Sequence, residues 1–545
     1  MSSVPQMPGI VARATGEGTG WAGGCAGGRR WGRRRGASRC EGWCGRVDGM
    51  STPPSRPASS DQPPSTSGGR LPDRVVSGVR RRARRSLDGL RAVADARWGR
   101  PRDECRPIYL VAPAGHPNHG DEQLLAGWLR YLRHRRPGTP VVVDCHTPGQ
   151  AAVLHHAEHP DVLFTDTLWR LAGEQAADGP AASVAFCREA VTDLGVRPGL
   201  ASGIELLRGA SMIHLVGGGY VNDQWPHHLG VAAGAGQAGR LSGARVVATG
   251  QGLTPCADAG LLADALSGFD QVVVRDAASR DLLAGTGVPV HLVGDDGWLA
   301  LAGGAGIEAG DHPVYSDDPR AARDLVLCVQ SDLADPGQLA EAVARILVEW
   351  RVPGERITVV ESIPGGDRVV WDLVCARADA AGRAPGGVDD NDDDNDDVAC
   401  TDKGDTDKGD TDTDDTDNGD NGDEVGLLLA ELDLGRAHFL PFQHLWSGGL
   451  PARSGQAWLT TRFHSHLFAA ARGASGVALR TGSAYYNVKH GSLAAAGSPW
   501  ETVDAGDVVV DSPVPALPTS GGFTSAAVAA LIAAAEALAE ELYPL

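Results

Sequence analysis

Residues 108–145 read IYLVAPAGHPNHGDEQLLAGWLRYLRHRRPGTPVVVDC. Ile108–Val111 is a short β-prone run and predicts a strand. Gly120–His134 carries a helical pattern, and Val141–Cys145 predicts a second strand. The same texture recurs at Ser211–Val216, Arg245–Thr249, Gln271–Val274 and His291–Val293. Strands separated by helical stretches of this length indicate βαβ units and a parallel sheet. After a Gly/Asp-rich stretch at 303–320 a second series begins. It runs through a strand at Leu325–Val329, a helix at Gly337–Trp350, a strand at Ile357–Glu361 and a helix at Val369–Ala378. Further on come His438–Pro441, Ala457–Thr461, a helix at Phe463–Arg472, and Val477–Leu479. The expected fold is therefore α/β, with two Rossmann-like, doubly wound domains facing across a cleft. Ser525–Leu542 predicts a long Ala-rich helix that packs back across both.

Outward from this core, the composition changes at two places. Residues 1–103 hold 20 Arg and 8 acids among many Gly, Ser and Pro, with almost no apolar periodicity. Such a segment lacks the apolar surface to fold, so a disordered basic extension is expected. Its run Arg80-Arg81-Arg82-Ala83-Arg84-Arg85 leaves contact with RNA or an anionic membrane surface open. Residues 389–424 hold 18 acids and 2 Lys. An EF-hand register with Gly419 at the sixth position puts Val425 where the bidentate Glu belongs, so a calcium loop is rejected. A self-repelling, disordered insertion at 386–424 is expected instead. The domains are thus read as 104–302 and 320–520, the latter interrupted by the insertion, with 521–545 as the closing helix.

The chain's net charge is −20, and removing both tracts leaves −16, so a dedicated nucleic-acid binder is excluded. No apolar run is long enough to span a bilayer, and the N-terminus lacks an apolar signal core. Of ten cysteines only Cys40 and Cys44 lie close together, which fits neither a disulfide framework nor a zinc ribbon. A soluble, cytoplasmic, multi-domain protein is expected.

Five places carry candidate chemistry, nearly all at strand-to-helix junctions. Gly115-His116-Pro117-Asn118-His119-Gly120-Asp121-Glu122 opens the first helix, where backbone N–H groups make an anion site; its acids equally suit the helix dipole. It has neither Walker nor dinucleotide-binding spacing. Gly217-Gly218-Gly219 and Gly250-Gln251-Gly252 close two successive strands, where glycine permits close ligand approach or merely a tight turn. Arg275-Asp276 ends another strand and offers either a fork for phosphate or carboxylate or an interior ion pair. Arg462 and His464 stand at a helix start in the second domain, the histidine well placed for general acid work. Lys489 is the only lysine outside the acidic tract, in a chain that otherwise uses arginine.

In this order the motifs resemble the polysaccharide pyruvyl transferase family. They are Asn118-x-Gly120-Asp121-Glu122, the glycine triplet, Gly250-Gln251-Gly252-x-x-Pro255, Arg275-Asp276-x-x-Ser279, Arg462-x-His464 and Tyr486-x-x-Lys489. The resemblance spans roughly 108–495 without the insertion. It implies a fold similar to B-type glycosyltransferases and transfer of pyruvyl from phosphoenolpyruvate to hydroxyls of a glycan or lipid-linked sugar. It also places Arg275, Arg462 and His464 on phosphoenolpyruvate. The chain departs from the family in its basic N-terminus, its acidic insertion, Phe463 in place of a leucine, and a second histidine, His466.

A donor carrying phosphate and carboxylate needs fixed positive groups, which Arg275, Arg462 and Lys489 supply. Asn118, Gly120, Gly218, Gly219 and Gln251 complete the expected binding set. His464 is the expected proton donor to the enol methylene, and Asp121 or His119 the base for the acceptor hydroxyl. No cofactor or metal is called for beyond phosphoenolpyruvate itself. Two alternatives stand beside this reading: a B-type glycosyltransferase using a nucleotide sugar, and a non-catalytic glycan-binding member of the family.

Overall fold

The computed structural model describes residues 106–302, 314–316, 318, 323–331, 334–382, 423–482, 484–509 and 513–544, with 484–487 described by backbone alone. The expectations for residues 1–103, for Cys40 and Cys44, for most of the acidic insertion and for the Tyr486 side chain lie outside this set.

Seven strands form the first sheet: β1 (Ile108–Val111), β2 (Val141–Asp144), β3 (Val162–Thr165), β4 (Met212–Leu215), β5 (Arg245–Gln251), β6 (Gln271–Val274) and β7 (Val290–Leu292). Their order is β3-β2-β1-β4-β5-β6-β7, and every pairing is parallel. The second sheet holds β8 (Leu325–Cys328), β9 (Ile357–Val360), β10 (His438–Leu440), β11 (Ala457–Thr460), β12 (Ser475–Arg480) and β13 (Glu501–Asp504). Its order is β10-β9-β8-β11-β12-β13, again all parallel. The central strands are buried on both faces, which is why they read as continuous apolar runs such as Ile-Tyr-Leu-Val. Two Rossmann-like halves therefore stand as expected. The edge strands β3 and β13 were not foreseen: both are half-exposed, β3 has only the three apolar residues Val162-Leu163-Phe164, and β13 has no apolar run.

In each sheet the chain winds outward from the middle and then reverses, between β1 and β4 in the first and between β8 and β11 in the second. The loops leaving the carboxyl ends of those neighbours diverge and open a crevice. This topology, fixed by the order of apolar segments, puts the functional loops of both halves at one place.

The C-terminal helix crosses both halves, as the sequence indicated. Its start packs Val528, Leu531 and Ile532 onto a core holding Trp298, Trp458 and Phe468. Its end packs Leu538, Ala539 and Leu542 beside Trp128 and Met212, and the Tyr543 hydroxyl sits 2.9 Å from His214 Nδ1. One expectation needs correction. The acidic insertion does not extend to residue 424, because Asp423 caps the helix Glu424–Ala430 by accepting the Gly426 N–H at 3.0 Å and pairs with Arg377. Among the described residues no helix is long and apolar enough to cross a membrane.

Candidate active site

A cavity of about 510 Å³ lies where the carboxyl ends of both sheets meet. After β1 come Asn118 and, in the first turn of the following helix, Gly120 and Asp121; the loop after β4 brings Gly219, and Arg275 directly follows β6. From the second half come Arg462 and His464 after β11, and Lys489 on the helix Ala484–Ala495. Eight of the eleven residues singled out from the sequence thus line one cavity.

His464 stands at the centre. Its helix, α2 (Phe463–Ala471), starts against α1 (His119–Arg135). The ring is so close to the α1 backbone that a Cβ at Gly120 would collide with His464 Nδ1. Gly120 therefore makes room for a histidine from the other half. His464 Nδ1 lies 4.0 Å from Asp121 Oδ1, and Nε2 lies 3.5 Å from Asp295 Oδ1. Nε2 is buried. Nδ1 is accordingly the nitrogen turned toward Asp121 and the cavity. The ring also stacks on Phe468, at 6.1 Å between centroids and 23° between planes.

Asp295 was missed by the sequence reading. Burial alone would raise its pKa, but His464 and Arg275 beside it hold it down at about 2. The carboxylate is thus charged at neutral pH and touches both His464 and Arg275. Its neighbour Asp296 is pushed up to about 6 by burial, although Thr249 Oγ1 at 2.6 Å, Trp128 Nε1 at 2.7 Å and the Gly217 N–H at 2.8 Å all donate to it. Asp296 anchors the loop that aims Asp295. The available signal was Gly294-Asp295-Asp296-Gly297, two acids between glycines after a strand.

The arginines are held differently. Arg275 donates to Asp295 Oδ2 at 3.2 Å and lies 4.4 Å above the centre of the Phe463 ring, a cation–π contact between the halves. It does not pair with Asp276, which instead caps the next helix at Ser279 N–H, 2.7 Å away. Arg462 forks onto both oxygens of buried Asp367. Asp367 also accepts the Ser362 and Ile363 N–H groups, so Arg462 is fixed in place while lining the cavity. Burial raises the Asp367 pKa against the pull of Arg462. Burial likewise raises that of Asp121, opposed by His464, Lys489 and Arg275.

Three expected site residues are corrected. His119 is 2% exposed and does not reach the cavity. Its ring meets Phe468 edge-on, and burial lowers its pKa to about 3, which removes it as a base for the acceptor. Gly218 and Gln251 pair with each other as a β-bridge behind the cavity wall. The Gln251 amide donates to the Val216 and Thr249 carbonyls at 2.9 and 3.0 Å, and Gly218 sits at φ +150.

Three of the loop glycines make room for charged side chains. A Cβ at Gly217 or Gly250 would strike Asp296, and one at Gly252 would come 2.7 Å from the Arg275 guanidinium. At the α1 start the His119 N–H donates to the Ser362 carbonyl at 2.9 Å. Glu122 is buried, accepting the Gly115 N–H at 2.9 Å and pairing with His155 at 2.6 Å.

The second histidine, His466, is fully buried and belongs to the core. It stacks on Trp500 at 4.4 Å and contacts His490 and Ser498 at 3.1 and 2.7 Å.

Two parallel α/β halves, with cations and a histidine converging at their carboxyl ends, define a two-domain Rossmann-like protein. Residues 118–342 match the polysaccharide pyruvyl transferase family, which bears out the resemblance over that stretch. The match includes Asn118, Asp121, Gly219, Arg275 and Asp295, and ends before Arg462, His464 and Lys489. No curated protein matches the chain. Among solved structures, a putative UDP-N-acetylglucosamine 2-epimerase from Listeria monocytogenes is 13% identical, with a TM-score of 0.40, covering 80% of this chain and 97% of that one. An Anabaena protein in complex with UDP-glucose is 12% identical, with a TM-score of 0.37, covering 80% and 95%.

Proposed function

We propose that this protein transfers the pyruvyl group of phosphoenolpyruvate to a pair of hydroxyls on a glycan or lipid-linked sugar, forming a ketal. The observation that carries the reading is the convergence of Arg275, Arg462, Lys489 and His464 on one cavity, in a chain that is acidic overall. Such a cluster matches a small donor with both a phosphate and a carboxylate. His464 Nδ1 gives a proton to the enol methylene, which leaves C2 of the donor electron-poor. Asp295 holds the opposite nitrogen and stabilises the imidazolium before transfer. The first acceptor hydroxyl adds to C2 and yields its proton to Asp121, which passes it back to His464. Its raised pKa makes Asp121 a better base than an ordinary carboxylate. Phosphate then leaves with the C–O electron pair, and the second hydroxyl closes the ketal, its proton ending on phosphate.

The test is phosphate release from phosphoenolpyruvate in the presence of candidate acceptors, with the product examined for a ketal methyl signal. Thermal shift against a panel of nucleotide sugars runs alongside. Acceptor-dependent phosphate release supports the reading. Stabilisation by a nucleotide sugar without any by phosphoenolpyruvate would overturn it in favour of glycosyl transfer.

A further inference from the structure

The cations occupy only part of the cavity. The first half adds an aromatic wall to it: His116 after β1, His146 after β2, and Tyr220, Trp225, His227 and His228 after β4. These rings form a connected surface. Trp225 lies parallel to His228 at 6.2 Å and 12°, His227 meets His228 at 4.3 Å, and His146 approaches His228 at 5.7 Å. Behind them Trp169 braces His146 at 3.9 Å and His228 at 5.0 Å, and the Tyr220 carbonyl fixes His228 Nδ1 at 2.9 Å. No arginine or lysine from the first half's loops up to residue 228 lines this wall.

The pyruvyl-transfer reading, on which this inference rests, leaves the wall without a role, since a three-carbon donor fills only the cationic part. We infer that the aromatic wall is the acceptor subsite and that the group it takes is a neutral pyranose ring, rather than a phosphorylated or carboxylated sugar. Trp225 supplies a flat apolar face for the C–H side of the ring. A neutral imidazole carries one donor and one acceptor, matching a hydroxyl that both gives and takes a hydrogen bond. Burial, with neighbouring imidazoles, keeps His146 at about 4 and His228 at about 3, so these two stay uncharged at neutral pH. An anionic sugar would find no counter-charge among these rings.

The experiment titrates methyl hexopyranosides and their 6-phosphates onto the full chain by saturation-transfer NMR, with phosphoenolpyruvate affinity measured separately by calorimetry. Neutral glycosides should bind better than their phosphates. Trp225→Ala should weaken glycoside binding tenfold or more and leave donor affinity within twofold, while Trp225→Phe should restore most of the loss. Unchanged glycoside binding in Trp225→Ala, or preference for the phosphates, overturns the subsite while donor binding still upholds pyruvyl transfer. If wild-type protein does not bind phosphoenolpyruvate, both readings fall together.

Discussion

The two halves contribute opposite things to the cavity. The second half presents Arg462, His464 and Lys489 as side chains, whereas several loops of the first half act by what they omit. Gly120 leaves space for His464, Gly252 for Arg275, and Gly217 and Gly250 for Asp296. Glycine at a strand's carboxyl end is often taken as a cradle for phosphate. Here the same residues let charged side chains approach the backbone, so these glycines serve the side-chain electrostatics.

That contrast can be tested from both sides. In the second half, Arg462→Ala strands the buried Asp367 carboxylate, and loss of one partner of a buried ion pair costs about 3–5 kcal/mol. Denaturant unfolding should register this loss alongside weakened donor binding. Arg462→Ala combined with Asp367→Asn should recover part of the stability but not the binding.

In the first half, Gly120→Ala adds a single methyl group and should displace His464. A misplacement of about 1 Å costs on the order of 10²-fold in rate. Phosphate-release kinetics should show the loss in turnover with donor affinity little changed. An amide-nest account predicts the reverse.

A third test concerns pH and the whole molecule. Burial holds His119, His214 and His228 at about 3, and His146 and His490 at about 4. The unfolded chain, with ordinary imidazoles near 6.5, takes up these protons first, so stability falls as pH drops below about 6.5. Asp296 at about 6 and Asp144 at about 7 act oppositely, because the folded state takes up their protons first. The imidazoles outnumber these two carboxyls, and the melting temperature should fall between pH 7 and pH 5. A flat or rising profile would contradict this balance.

Much of this was legible beforehand, and the reasons are particular. Central strands such as Ile108–Val111 and Gln271–Val274 are buried on both faces and announce themselves as apolar runs. Edge strands such as Glu501–Asp504 need no such run and stayed hidden. Residues placed at strand ends could be assigned to the cavity because parallel topology sends those ends to one side. Partners across the chain could not be read: Asp367 meets Arg462 over 95 positions, and Asp295 meets His464 across the cleft. His464 and His466 are separated by one residue, and only the helical turn between them puts one in the cavity and the other against Trp500.

The central claim is that His464 works as an acid and not as an anion ligand. Donor affinity by calorimetry and turnover by phosphate release, measured together on His464→Gln, test it most directly. The account predicts affinity within a few-fold of wild type and turnover lower by about two to four orders of magnitude. Lost binding with turnover preserved at saturating donor would make His464 a ligand and contradict the account.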